Sequence, residues 1–270
     1  MSVQLGTLLA QLESWYAPAT ADDWDAPGLV TGSTSQPASR VLLTVDITTS
    51  VIDEACELGA DVIIAHHPYL LRGVQSLDES LAKGANLAKA IRANIAIYSA
   101  HTNADIAVDG VSQALADLVG LRNPVALSNG EPTGHGRVGA VEKSTLGALA
   151  QRVAAALPAT AGGVRVAGDF NQEVSRVALC AGAGDSLIGA AIQSGADVYI
   201  TSDLRHHPAQ DAREHAILAG GRPALIDISH WAAEYVWLDG LARRLSDAFG
   251  QIEFMVSDVR TDPWDFLVTQ

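Results

Sequence analysis

The feature that most constrains this chain is an internal repeat at a constant offset of 136 residues. Residues Arg40–Ile64 align without a gap against Arg176–Ile200, and eleven of the 25 positions are identical. Both segments end in the same Gly-Ala-Asp-Val run, which begins at Gly59 and at Gly195. Each segment has the pattern strand, helix, strand, so the repeat predicts two related βαβ halves. The alternative is chance similarity between βαβ units rich in Ala, Val and Gly.

Apolar runs of four to six residues alternate with segments of helical period along the rest of the chain. Strand–helix alternation predicts an α/β fold, here two similar α/β lobes with mostly parallel sheets. We place the first lobe at residues 1–122, a connector with a short helix (Leu146–Ala156) and extra strands at 123–173, and the second lobe at 174–270. The predicted strands are Val41–Val45, Val62–Ala65, Ile95–Tyr98, Val177–Cys180, Val198–Ile200 and Ala224–Ile226. The predicted helices are Ser50–Leu58, Ser80–Ala93, Asp185–Ser194, Pro208–Leu218 and Ser229–Phe249.

Charge and composition exclude several classes of function. The formal net charge is −14, which argues against direct nucleic-acid binding because that needs a basic surface. No basic leader and no run of 18 apolar residues occurs, so we expect a cytoplasmic protein that does not interact with membranes. Cys56 and Cys180 are the two cysteines, which provide neither a disulfide framework nor a thiolate metal site, and we expect both to be small buried side chains.

Two adjacent histidines, His66 and His67, directly follow the predicted strand Val62–Ala65. Ligand sites of open α/β sheets lie at the carboxyl ends of strands, and Pro68 favours a turn at this point. A histidine pair alone is weak evidence, because histidine often serves as an ordinary polar residue.

Two further pairs have a histidine followed four residues later by an acid, namely His101 with Asp105 and His230 with Glu234. On a helix this spacing places both side chains on one face, and Ser229 is a plausible N-cap for the second pair. An ordinary helix ion pair is the alternative for either one taken singly. Three such clusters, each at a predicted strand end, favour a metal site with imidazole and carboxylate ligands, suited to Zn, Fe, Mn or Co.

The number of candidate ligands favours two metal ions. Three protein ligands suffice for one catalytic zinc, whereas five or six fit two ions about 3.5–4 Å apart. The five candidate ligands are His66, His67, Asp105, His230 and Glu234, with His101 as a sixth. We expect this dinuclear site in the cleft between the two lobes.

Five motifs together resemble a known family, the NGG-one-interacting-factor-three-like proteins, whose members are also named GTP cyclohydrolase 1 type 2 homologs. The motifs are Trp24-Asp25-Ala-Pro-Gly28-Leu29-Val-Thr-Gly32, Ala65-His66-His67-Pro68, His101-Thr102-Asn103-Ala-Asp105, Thr201-Ser-Asp203-Leu-Arg-His206-His207 and Ser229-His230-Trp-Ala-Ala-Glu234. The resemblance runs from about Leu5 to the C-terminus. Where the family usually has Asp-Asn-x-Gly-Leu, this chain has Asp25-Ala26-Pro27-Gly28-Leu29, which loses an amide.

The resemblance implies two α/β lobes, a dinuclear metal centre and a toroidal homohexamer. By position, the family's metal ligands match His66, His67, Asp105, His230 and Glu234, and Glu234 stands where a bridging carboxylate is expected. His101 is either a ligand or a neighbour of the ligands. The implied reaction is opening of the imidazole ring of GTP by metal-activated water, with His101 or His207 transferring protons.

Other residues on the same predicted rim have open roles. Asp203, His206 and His207 either contact substrate or support the metal ligands, and Asp46 either orients a ligand histidine or terminates its strand. Gly182-Ala-Gly184 is a weak candidate for anion binding.

The leading hypothesis is a metal-dependent hydrolase acting on a nucleotide or another phosphorylated small molecule. Two alternatives stay open: a metal carrier, insertion factor or scaffold without enzymatic activity, and a metal-dependent phosphoesterase.

Overall fold

The computed structural model describes residues 2–269 and has a mixed α/β fold. Its strands are β1 (Val3–Gln4), β2 (Gly28–Thr31), β3 (Pro37–Ala38), β4 (Arg40–Thr44), β5 (Val62–Ala65), β6 (Ala96–Ser99), β7 (Arg122–Val125), β8 (Arg137–Thr145), β9 (Arg165–Ala167), β10 (Glu173–Ala183), β11 (Val198–Ser202), β12 (Ala224–Ile228) and β13 (Glu253–Val256). Its α-helices are α1 (Leu5–Trp15), α2 (Thr49–Leu58), α3 (Ala82–Arg92), α4 (Thr102–Asp105), α5 (Val111–Val119), α6 (Leu146–Ala156), α7 (Ile188–Gln193), α8 (His206–Leu218), α9 (His230–Tyr235) and α10 (Leu238–Ala248). No α-helix in the described residues is both long and apolar enough to cross a membrane.

The chain divides into two compact units. The first unit comprises the residues up to Ala104 together with Leu238–Thr261, and the second comprises Asp105–Trp237 with the residues from Asp262 onward. These boundaries differ from the expected division at 122 and 173. The first unit recruits C-terminal residues because β13 pairs in parallel with β4. The expected connector belongs to the second unit because β8 pairs with β10.

The first unit contains a five-stranded sheet of order β13-β4-β5-β6-β2. The first three pairs are parallel, and β2 closes the edge antiparallel to β6. All four residues of Val62–Ala65 are buried, as expected for a central strand covered on both faces. Helix α2 begins after the cap Thr48, whose side chain accepts from the amide of Val51, and ends at Gly59 in the left-handed region (φ +64°).

The second unit contains a six-stranded sheet of order β7-β8-β10-β11-β12-β9. Its centre, β10-β11-β12, is parallel, and antiparallel strands flank it on both sides. The predicted helix Leu146–Ala156 is confirmed to the residue as α6.

The predicted helix Ser229–Phe249 is wrong as a single element. The structure has two helices there, α9 and α10, and the boundary between the units falls between Trp237 and Leu238. Both junction residues are buried, so the apolar pattern continues across a break in the helix. Continuous periodicity therefore concealed the point where the chain passes from one unit to the other.

Candidate metal centre

His66 and His67 lie at the carboxyl end of β5, where the sequence placed them. Their backbone amides donate to the carbonyls of Thr44 and Val45, at 3.0 and 2.9 Å, which extends the pairing of β4 with β5 by two residues. The side chain of His66 is completely buried, and its Nδ1 lies 2.9 Å from the carbonyl oxygen of Ala100.

The ring of His67 is held by Asp46, which follows β4. His67 Nδ1 lies 2.7 Å from Asp46 Oδ1. A carboxylate oxygen accepts a hydrogen bond, so Nδ1 of His67 is the donor. Of the two roles considered for Asp46, this contact supports orientation of a ligand histidine.

His101 directly precedes α4 and is held in the same way by Asp25. Its Nδ1 lies 2.8 Å from Oδ1 of Asp25, whose side chain is fully buried. The other oxygen of Asp25 accepts from the amide and the hydroxyl of Thr102, at 3.0 and 2.5 Å. Burial raises the pKa of Asp25, but the hydrogen bonds from Thr102 and His101 outweigh that effect and lower it overall.

The three histidines form one cluster in the first unit. Their ring centroids are 4.9 Å apart for His66 and His67, 5.1 Å for His66 and His101, and 5.3 Å for His67 and His101. One ring nitrogen from each lies within 4.8 Å of the corresponding atoms of the other two. Each Nδ1 faces an oxygen that only accepts, so in the neutral ring the lone pair is on Nε2.

The electrostatics of the cluster favour a neutral His101. Burial and the nearby rings of His66 and His67 lower the pKa of His101 to about 4, because they outweigh Asp25, which raises it. Metal binding requires the neutral imidazole, so this ring is already in the form that a divalent ion needs at neutral pH.

In the second unit, His230 and Glu234 lie on α9, which Ser229 caps by accepting from the amide of Ala232. The four-residue spacing places their side chains together, with His230 Nε2 2.8 Å from Glu234 Oε1. Glu234 is only 2 % exposed. Burial alone would lower the pKa of His230, but the carboxylates of Glu234 and Asp203 raise it to about 11.

Asp203 supports His230 as Asp46 supports His67 and Asp25 supports His101. Its Oδ2 lies 2.7 Å from His230 Nδ1. Asp203 has a left-handed backbone (φ +56°), a costly conformation for a residue other than glycine that often marks a functional site.

Gly182 packs closely against the side chains of His230 and Glu234. A Cβ atom at this position would lie 2.5 Å from Glu234 Oε1 and 3.2 Å from His230 Nε2, and the backbone is left-handed (φ +73°). This close approach explains the glycine at the end of β10 better than the weak anion-binding hypothesis does.

Asp105, the last residue of α4, is half-buried and belongs to the second unit. The negative charges of Asp105 and Glu234 both disfavour ionisation of Cys180, a buried thiol on β10. Burial, together with these two carboxylates, raises the pKa of Cys180 to about 12. Cys180 is therefore a neutral buried side chain, as expected, whereas Cys56 is only partly buried.

His206 and His207 occupy the first turn of α8 and are exposed. Their rings contact each other, with centroids 5.2 Å apart. Among the residues that the structure describes, neither joins a group of three potential metal ligands. A role for His207 in proton transfer therefore stays a prediction.

The donor set of each unit fits a divalent metal ion. The first unit offers the three clustered imidazoles, and the second offers the imidazole of His230 beside the carboxylate of Glu234, with no thiolate among them. Among the described residues, Asp105 joins no group of three potential ligands, so its role as a ligand stays a prediction. Nitrogen and oxygen donors of this kind suit Zn, Fe, Mn or Co. Each ring is oriented through its other nitrogen, a support that metal-binding histidines usually have.

A family model described as Duf34/NIF3 (NGG1p interacting factor 3) matches residues 3–263. A protein of Streptomyces coelicolor named GTP cyclohydrolase 1 type 2 homolog is 41% identical over 271 residues, covering 97% of this chain and 93% of its own length. A Mycobacterium leprae protein of the same name is 31% identical, with coverage of 98% and 96%.

Solved structures agree with these matches. A hypothetical protein of Staphylococcus aureus has a TM-score of 0.89 at 29% identity and covers 98% of this chain and 99% of its own. A Bacillus cereus protein related to NIF3 has a TM-score of 0.87 at 26% identity, with coverage of 97% and 99%.

Proposed function

Because the chain belongs to the Duf34/NIF3 (NGG1p interacting factor 3) family, we propose that it is a divalent-metal-dependent hydrolase that acts on a purine nucleotide. The observation that carries the proposal is the cluster of His66, His67 and His101, whose potential ligand atoms all lie within 4.8 Å of one another. The substrate class comes from the curated relatives, which are named GTP cyclohydrolase 1 type 2 homologs.

We propose six side chains as the ligands of two divalent ions, Zn, Fe, Mn or Co. The first unit supplies His66, His67 and His101. The second supplies Asp105, His230 and Glu234. We assign His101 as a ligand because its Nδ1 is held by Asp25 in the way that Asp46 holds His67.

Bound divalent ions would supply Lewis acidity and would activate water near neutral pH. The residues of this chain prepare the site for that chemistry. Asp25, Asp46 and Asp203 each accept a hydrogen bond from Nδ1 of one proposed ligand histidine, which fixes the orientation of that ring. With His101 assigned as a ligand, His207 is the candidate that transfers protons to and from the substrate.

A metal carrier or insertion factor is the second candidate, and burial of the ligands argues against it. His66 is fully buried and Glu234 is 2 % exposed, so an ion on these ligands would exchange slowly with an acceptor protein. The donor set equally suits a phosphoesterase, and only a comparison of substrates separates that activity from ring opening.

The test combines elemental analysis with a substrate panel. Native protein should contain two divalent ions per chain, and protein reloaded with that metal should open the imidazole ring of GTP. His67→Ala should lose mainly one of the two ions, and with it the activity, whereas His215→Ala, at an exposed histidine on α8, should keep both ions and the activity. Purified protein that cannot be loaded with metal would contradict the proposed site. Loaded protein that hydrolyses phosphate esters but leaves GTP intact would contradict the substrate.

We also propose a homohexamer, as the family resemblance implies. Light scattering on the purified chain tests it, and a monomeric mass at micromolar concentration would contradict it.

A further inference from the structure

Two neighbouring residues near the C-terminus contact the supports of the candidate ligands. Thr261 is the last residue of the first unit, and Asp262 begins the final segment of the second. Within the first unit, the hydroxyl of Thr261 donates to Asp46 Oδ2 at 2.5 Å. Within the second, Asp262 Oδ2 accepts from the hydroxyl of Ser229 at 2.5 Å.

Thr261 completes the fixation of the Asp46 carboxylate. Asp46 Oδ1 accepts from His67 Nδ1 at 2.7 Å, and Oδ2 accepts from Thr261. With both oxygens bonded, the plane of the carboxylate is set. The hydroxyl of Thr261 therefore restrains rotation of the carboxylate, and the orientation of the His67 ring follows that of the carboxylate.

Asp262 acts on the cap of α9. The hydroxyl of Ser229 has a single hydrogen, and Asp262 accepts it, so an oxygen lone pair of the hydroxyl is directed to the amide of Ala232 at 3.2 Å. The other oxygen of Asp262 accepts from the amide of Trp264 at 3.1 Å, which holds the carboxylate in place. The capped helix begins at His230 and carries Glu234 one turn later.

We propose that Thr261 and Asp262 are positioning residues for metal binding, Thr261 through Asp46 and His67, and Asp262 through Ser229 and the first turn of α9. This inference rests on the proposed metal site. Groups that support metal ligands typically change metal affinity by about 10–100-fold when they are removed. Since Thr261 and Asp262 act one step further away, the expected loss for each is near the lower end of that range.

The test titrates the full-length protein with Co²⁺ alone and measures affinity by competition with a chelator, together with the visible absorption of the bound ion. Thr261→Val keeps the shape of the side chain but removes the hydroxyl, and it should bind Co²⁺ about tenfold more weakly with an altered absorption band. Thr261→Ser restores the hydroxyl and should return both readouts toward the wild-type values. Thr20→Val is the matched control, because the Thr20 hydroxyl donates to Ala17 in an exposed turn.

Asp262→Asn is tested in the same way against Asp265→Asn, an exposed acid three residues later. The first variant should weaken Co²⁺ binding and the second should not. Thermal unfolding of the metal-free variants separates the proposed role from a general loss of stability, because a positioning role predicts a change in affinity at an unchanged melting temperature.

A double variant tests whether Thr261 affects metal binding through Asp46. If Thr261 acts through Asp46, adding Thr261→Val to Asp46→Asn should produce no further loss of affinity. Equal Co²⁺ binding by wild type and Thr261→Val, or a loss that Thr261→Ser does not rescue, would overturn the role of Thr261. Wild-type binding by Asp262→Asn would overturn the role of Asp262. Failure of the wild-type chain to bind Co²⁺ would instead refute the proposed function itself.

Discussion

Asp25 and His101 are joined by a hydrogen bond of 2.8 Å between Oδ1 and Nδ1, although 76 residues separate them in the chain. The carboxylate is fully buried and also accepts two hydrogen bonds from Thr102. The amide of Ala26 also donates to Oδ1 at 2.7 Å. Four hydrogen bonds therefore fix the position of the carboxylate, which in turn fixes the orientation of the His101 ring.

Asp25→Asn should weaken metal binding by about 10–100-fold, because the uncharged amide orients and polarises His101 less well. It should also lower the free energy of unfolding by about 1–3 kcal/mol, since an NH₂ group facing the Thr102 donors leaves them without an acceptor. Zn²⁺ competition and urea unfolding measure the two effects. Asp23→Asn, an exposed neighbour, is the control, and equal Zn²⁺ affinity in both variants would refute the assignment.

Glu234→Ala and His67→Ala should differ in the number of ions that they lose. In the proposed site Glu234 would be shared by the two ions, so its removal should leave almost no bound metal, whereas His67→Ala should lose mainly one ion. Elemental analysis after dialysis measures the number of ions per chain. Glu142→Ala, on an exposed position of β8, should keep both. Two fully occupied ions in Glu234→Ala would show that Glu234 is not shared.

Part of the candidate site could be predicted from local sequence. His66 and His67 end a strand of apolar residues, and the four-residue spacing of His230 and Glu234 gives one helix face, which the 2.8 Å contact confirms. Asp46 and Asp203 were candidates for supporting residues because each follows a predicted strand, whereas Thr261 and Asp25 could not be found in this way. Thr261 lies 215 residues from Asp46, and Asp25 lies 76 residues from His101, so only the folded chain brings each pair together. For Asp25, the family-like Trp24-Asp25 motif was the available signal.

Gly182→Ala should impair metal binding, whereas Gly195→Ala should not. Both glycines have left-handed backbones, at φ +73° and +69°, so a side chain at either should cost about 1–2 kcal/mol of stability. Only at Gly182 would the new Cβ lie 2.5 Å from Glu234 Oε1, while at Gly195 it would meet nothing within 4 Å. Urea unfolding of both variants measures the cost of backbone strain, and Zn²⁺ competition measures the effect of crowding against Glu234. Similar Zn²⁺ affinities for the two would contradict the argument.

The two halves of the repeat share equivalent hydrogen bonds as well as identical residues. Asp61 Oδ2 accepts from the amide and hydroxyl of Ser39 and from the amide of Arg40, and Asp197 Oδ2 accepts the same three bonds from Ser175 and Arg176. Every pair is 136 residues apart. By contrast, the return of β13 to the first sheet and the break before Leu238 depend on tertiary contacts, so the local pattern did not reveal them.

Asp61→Ala and Asp197→Ala should therefore have parallel effects on stability and leave metal binding intact. Each substitution removes the acceptor of three hydrogen bonds, so we expect each to cost about 2 kcal/mol in the free energy of unfolding. Metal content per folded chain should not change, because Asp61 precedes β5 while His66 follows it, at the opposite end of the strand. Urea unfolding and elemental analysis provide the two measurements, with exposed Asp211→Ala as the control. A large cost at one aspartate and none at the other would show that the matching bonds do not have equivalent roles in the two halves.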